Sequence, residues 1–197
     1  KIDPDGKLHI QQFSDSDWAA DKNDRKSYTG SVTVLNGAIV DWGAVKQSTV
    51  STSSYEAEYM AGSESCKDAL YFKNLLIELT SKTSQLQLPM QVVQNTFTPK
   101  TGVPGSDVSM ALEMDNQGAI TLASNLINNK RARHIDIWYH AIRDWVQKKW
   151  VQIRWIPSEH NVADVMTKGL GRVLFYVHRR TLGVISAHDT GNKRSRY

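Results

Sequence analysis

Cysteine is nearly missing from this chain of 197 residues. The single Cys66 excludes an internal disulfide and any zinc site built on cysteines, and it suits a reducing compartment. It falls among apolar residues of an expected helix, so a buried structural thiol is expected there. Long apolar runs are missing too: none approaches the ~18 residues that a membrane span needs. The start, Lys1-Ile2-Asp3-Pro4-Asp5, lacks the features of a signal peptide. It also lacks an initiating Met, as a piece or processed product of a longer protein would. Acids are absent from Thr80 to Ser106, where Ser, Thr and Gln dominate and three of the five prolines fall (Pro89, Pro99, Pro104). Residues 80–109 therefore read as an irregular insertion that cannot bury a core. The polar end, 186–197, reads as a disordered tail.

What is present supports one domain over residues 1–185, since 40% hydrophobic residues in a chain of this length build a single core. The net charge of +4 favours a polyanionic partner. That charge is local. From Lys130 to Arg154 there are seven Lys/Arg against two Asp, whereas the remainder carries 17 against 18 acids. A confined positive field fits a docking surface better than a general solubility device.

Leu8 to Asp17 alternates weakly and reads as a first strand. Tyr28–Leu35 and Ala38–Gln47 are rich in β-branched and aromatic residues, and Asn36-Gly37 between them signals a two-residue hairpin. Ser and Thr at 51–54, followed by Glu56 and Glu58, mark a helix start. That helix is expected from Ser54 to Leu79, with a stripe of Ala57, Ala61, Ala69, Phe72, Leu76 and Leu79. Met110–Asp115 reads as a strand, Asn116–Asn125 as a short helix, and Arg133–Lys149 as a longer one with Ile135, Trp138, Ile142, Trp145 and Val146 facing a core. A last strand over Val151–Ile156 precedes helices at Val162–Lys168 and Val173–Thr181. This order implies an α/β fold, a mixed sheet of five strands with helices on its faces.

Acids recur where elements start or end: Asp15 and Asp17, Glu56 and Glu58, Asp115, and Asp164. Carboxylates gathered from distant segments repel one another unless a cation neutralises them, and hard oxygen ligands suit Mg²⁺ or Mn²⁺. Two such ions about 3.5–4 Å apart are a standard device for displacement at phosphorus. Glu56 and Glu58 lie about 200° apart around a helix, so both cannot enter one site. Asp15 and Asp17 share a strand face, and geometry does not separate them.

Seven stretches, in order, resemble the RNase H domain of copia-type LTR retrotransposon Pol polyproteins. They are Phe-Ser-Asp-Ser-Asp-Trp-Ala (13–19), Asp-Arg-Lys-Ser-Tyr-Thr-Gly (24–30), Trp-Gly-Ala-Val-Lys-Gln (42–47), Ser-Ser-Tyr-Glu-Ala-Glu-Tyr-Met-Ala (53–61), Asp-Asn-Gln-Gly-Ala-Ile (115–120), His-Ile-Asp-Ile-Trp-Tyr-His (134–140) and Asn-Val-Ala-Asp-Val-Met-Thr-Lys (161–168). The resemblance implies an RNase H-like fold and metal-dependent cleavage of the RNA strand of RNA–DNA hybrids during reverse transcription. It further implies two Mg²⁺ ions, with Mn²⁺ as a substitute, and a reverse transcriptase domain N-terminal to this one in a polyprotein. It selects Asp15, Glu58, Asp115 and Asp164 as catalytic metal ligands. His160, in the loop before the last acid, is a candidate for proton transfer or product release. Ser53, Ser54 and Asn116 are candidates to read 2′-hydroxyls. Lys130, Arg131, Arg133 and His134 are expected on the DNA strand's phosphates. The isolated domain is expected to be a monomer with no membrane contact, in the cytoplasm within the element's virus-like particle, or in the nucleus. Two rivals stand beside this reading: a catalytically silent nucleic-acid-binding module, and an RNase H-like nuclease acting on DNA.

Overall fold

The computed structural model describes residues 8–83, 108–124 and 136–184. Five strands, β1 (Leu8–Asp17), β2 (Tyr28–Leu35), β3 (Ala38–Lys46), β4 (Val108–Met114) and β5 (Gln152–Trp155), form one sheet in the order β3-β2-β1-β4-β5. β1 to β3 run antiparallel, and β4 and β5 run parallel to β1. The expected five-stranded mixed sheet is thus the sheet observed. Asn36 and Gly37 both adopt left-handed backbone, φ 48° and 84°, the conformation a two-residue hairpin needs.

The helices are α1 (Ser54–Thr83), α2 (Gln117–Ser124), α3 (Asp136–Gln147), the short α4 (Asp164–Thr167) and α5 (Arg172–Thr181), with a 3₁₀ turn at Ser158–His160. α1 packs on the face carrying Ile10, Met110, Leu112 and Met114, and with Tyr59, Cys66, Ala69 and Ile142 these make the larger core. Cys66 is buried there, as expected, and burial pushes its thiol pKa up. The opposite face holds a smaller core of Val32, Val162 and Ala163 with Phe13, Val34 and Met166.

Differences from the expected boundaries have local causes. α1 continues past Leu79 to Thr83, and Leu79 is 52% exposed, because the helix outruns the sheet it packs on. β4 begins at Val108, inside the stretch read as insertion, since its first residues pair with Leu8 and His9 of β1. The rest of that insertion, the tail, and Ile135 lie outside the described residues, as does the side chain of Trp138. Among the described residues, no helix is long and apolar enough to cross a membrane.

Candidate metal centre

β1 is the central strand, and Asp15 sits fully buried near its end, opposite Gly30 of β2. Two helix N-termini and a loop bring the other acids to it. At the start of α1, Ser53 accepts the Glu56 N–H on its hydroxyl (3.3 Å) and the Ala57 N–H on its carbonyl (3.1 Å), as an N-cap does. Glu56 turns back to accept from the N–H (2.7 Å) and hydroxyl (2.5 Å) of Thr52, the residue before the cap, and so fixes the chain's entry into the helix. Its carboxylate is consumed in holding the helix start. Glu58, two residues on, points the other way and joins Asp15 and Asp115, with ligand oxygens of all three within 4.8 Å of one another. Asp115 follows β4, half-buried, just before α2.

Asp164 arrives on the far side of Asp15. Asn161, fully buried, donates from Nδ2 to the Ser14 carbonyl (2.9 Å) and accepts the Ala163 N–H on Oδ1 (3.2 Å). Its own carbonyl accepts the Asp164 N–H (3.1 Å). One residue therefore ties this segment to β1 next to Asp15. Close approach of α4 also requires Gly30: a Cβ there would lie 2.7 Å from Thr167 Cγ2 and 2.9 Å from the Ala163 carbonyl. Seated this way, the Thr167 hydroxyl donates to Asp15 Oδ2. The Lys168 ammonium lies 3.0 Å from Asp15 Oδ1 and 3.1 Å from Asp164 Oδ1.

The electrostatics are those of crowded acids. Burial, then the charges of Asp15 and Asp115, push the Glu58 pKa up to about 9. Its Oε2 is buried without a hydrogen-bond partner. Asp164 is pushed up to about 6 by burial and by Asp15, with Lys168 opposing. Burial works against the Lys168 charge, but Asp15 and then Asp164 outweigh it and raise its pKa. Asp17 is also raised, chiefly by burial; its carboxylate accepts the Tyr28 N–H across the β1–β2 ladder. Asp17 is thereby engaged outside the three-acid group, separating two residues that strand periodicity could not.

The remaining sequence candidates scatter around this centre. His160 is exposed on the 3₁₀ turn four residues before Asp164. Ser53 and Ser54 stand at the start of α1, with Ser53 engaged as cap. Asn116 caps α2 by accepting the Ala119 N–H (3.0 Å), leaving its NH₂ as the group that could meet a ligand. Lys130, Arg131, Arg133 and His134 lie outside the described residues. Sequence reasoning assigned no role to Gly30, Asn161, Thr167 or Lys168. Their signal was position, since all four belong to the stretches that carry the family resemblance.

No protein-family model matches the chain. Over nine tenths of its length it is homologous to retrovirus-related Pol polyproteins of plant transposons. It is 30% identical over 178 residues to that of transposon RE2 from Arabidopsis thaliana, covering 90% of this chain and 11% of the polyprotein. It is 28% identical over 177 residues to that of transposon TNT 1-94 from Nicotiana tabacum, covering 90% and 12%. The chain thus spans about a tenth of the curated relatives it matches. Among solved structures, RNase H1 from the archaeon Halobacterium salinarum matches with a TM-score of 0.48 at 13% identity, covering 81% of this chain and 94% of that one.

Proposed function

We propose that this chain is a divalent-metal-dependent ribonuclease H that cuts the RNA strand of RNA–DNA hybrids during reverse transcription of an LTR retrotransposon. The observation that carries the reading is the meeting of Asp15, Glu58 and Asp115, from three separate elements, with Asp164 beside Asp15. Homology to Pol polyproteins supports the setting, and with it a reverse transcriptase domain on the N-terminal side.

The residues fit divalent ions. All ligand atoms are carboxylate oxygens, which suits Mg²⁺ or Mn²⁺. Glu58 Oε2 is buried without a hydrogen-bond partner, and burial, then the neighbouring charges of Asp15 and Asp115, disfavour its carboxylate in the absence of a cation. Asp15, Glu58 and Asp115 would hold one ion, and Asp15 with Asp164 a second. When bound, such a pair lowers the pKa of an attacking water and stabilises charge on the attacking and leaving oxygens.

This chain's residues supply position. Asp15 is held in place by Thr167 and, through the neighbouring Ser14 carbonyl, by Asn161. Ser53, Ser54 and the Asn116 amide are near the acids in sequence and would meet 2′-hydroxyls, which distinguish RNA from DNA. Lys130, Arg131, Arg133 and His134 would meet phosphates of the DNA strand, contacts that position without reading sequence. His160 is exposed to solvent and would carry a proton or help release product. The isolated domain acts as a monomer, in the cytoplasmic particle or the nucleus.

The test is a labelled RNA–DNA hybrid, duplex DNA and duplex RNA, each with Mg²⁺ or EDTA. Cutting of the hybrid alone, abolished by EDTA, supports the reading. Cutting of duplex DNA would make the chain a DNA nuclease, and binding without cutting would make it a silent module.

A further inference from the structure

The acids of the centre fall into two unlike groups, joined at Asp15. On one side, Asp15, Glu58 and Asp115 lie together, and among the described residues no ion pair reaches Glu58 or Asp115. On the other side, Asp15 and Asp164 already share a cation, the Lys168 ammonium, at 3.0 and 3.1 Å. Asp15 is fully buried and Asp164 is 5% exposed, so their mutual repulsion is poorly screened by water. The Lys168 side chain is 40% exposed. It rises from the end of α4, one helical turn after Asp164, and an ammonium on a flexible four-carbon stem can leave such a position without unfolding anything.

We propose that Lys168 is the resident counter-cation of the Asp15–Asp164 pair, and that a divalent ion enters this half of the centre only by displacing its ammonium. The two halves therefore load unequally. The Asp15/Glu58/Asp115 group takes an ion at low concentration, and the Asp164 half takes one only when the ion outcompetes Lys168. The residue acts through the carboxylates it holds, as a positioning residue that keeps Asp15 and Asp164 facing each other until the second ion arrives. This rests on the metal-dependent reading above.

The experiment is a calorimetric titration of the full chain with MnCl₂ alone, without nucleic acid, in wild type, Lys168→Met, Lys168→Gln and Lys168→Arg. Wild type should show two steps separated in concentration. Both neutral variants should move the second step to a concentration lower by at least about tenfold, because a positive charge in direct contact has been removed. Their metal-free melting temperatures should fall, and rise further than wild type's on adding Mn²⁺. Lys168→Arg should keep the metal-free melting temperature and the late second step. Titrations of the neutral variants that superimpose on wild type would overturn the proposal, as would loss of their second step. Wild type binding no ion at all would instead remove the metal-dependent reading, and this inference with it. Two neutral variants keep the result interpretable should one of them fold poorly.

Discussion

α1 buries two seams of opposite chemistry. Where it crosses β1 and β4, Tyr59, Cys66 and Ala69 meet Ile10, Met110, Leu112 and Met114, all apolar and nearly inaccessible. Where it lies over β2 and the later part of β1, the buried sheet surface is Gln12, Ser14, Ser16, Thr29, Ser31 and Thr33. Some of these polar groups bond one another, such as Thr33 to Gln12 (2.6 Å) and Gln47 to Thr29 (3.2 Å). Others have no protein partner: the hydroxyls of Ser14, Ser16 and Ser65, and Gln47 Oε1. This seam opens into a cavity of about 340 Å³ lined by Thr29, Ser31, Gln47 and Ser65. Glu58 and Ser65, two turns apart, lie on one line of the helix. The first seam holds the fold together. The second gives up stability and ends at the acids, as expected where function overrides packing.

The sharpest way to break the comparison is to damage the apolar seam. Leu112→Ala should cost about 2–5 kcal/mol, since a fully buried leucine is replaced by a cavity. Urea denaturation would show it as a lower midpoint, and an unchanged midpoint would mean the seam is not the core. Gly30→Ala acts on the opposite face. The added methyl meets the Ala163 carbonyl and Thr167, so α4 must shift, at about 1–3 kcal/mol. Hybrid cleavage should fall more than stability does, because Asp164 and Lys168 move with α4; equal loss of both would deny that Gly30 serves the site.

Glu58→Gln addresses the acid end of the polar seam. The folded pKa of Glu58 is raised from its ordinary 4.5 to about 9, chiefly by burial. The native state therefore holds a proton that the unfolded chain releases, and this contribution is complete below pH 4.5 and lost as pH rises through 9. Metal-free wild type should lose melting temperature across that window. Glu58→Gln should flatten the loss and be the more stable protein at pH 8. A wild-type profile level between pH 5 and 9 would show that Glu58 is not held protonated. The smallest effect belongs to Ser65→Ala, whose hydroxyl has no partner to lose: a change within about 0.5 kcal/mol, or slight stabilisation, by the same denaturation.

The apolar seam was largely legible in the sequence and the polar one was not. β1 and β2 were read to their observed ends, and the start of α1 at Ser54, because alternation and capping are local signals. Ser14, Ser31 and Thr33 carry no such signal. Small hydroxyl residues read as solvent-facing by hydropathy, and only the pairing of β1 with β2 shows them stacked beneath a helix. The same holds within the centre. The resemblance chose the acids of the three-residue group over Glu56 and Asp17, and the structure adds the physical reason: Glu56 accepts from Thr52 at the helix start, and Asp17 accepts from Tyr28. Lys168 and Thr167 act on Asp15 across some 150 residues of chain, a relation set by tertiary register alone.

Asp15 is the carboxylate common to both groupings, so the central claim is tested most directly on Asp15→Asn, by measuring cleavage of a labelled RNA–DNA hybrid in Mg²⁺ beside wild type. The account predicts cleavage at background in the variant, with metal-free melting unchanged or higher because like-charge repulsion is relieved. Wild type should leave products with 5′-phosphate and 3′-hydroxyl ends. Cleavage by Asp15→Asn at the wild-type rate would contradict the account and place the chemistry elsewhere on the molecule.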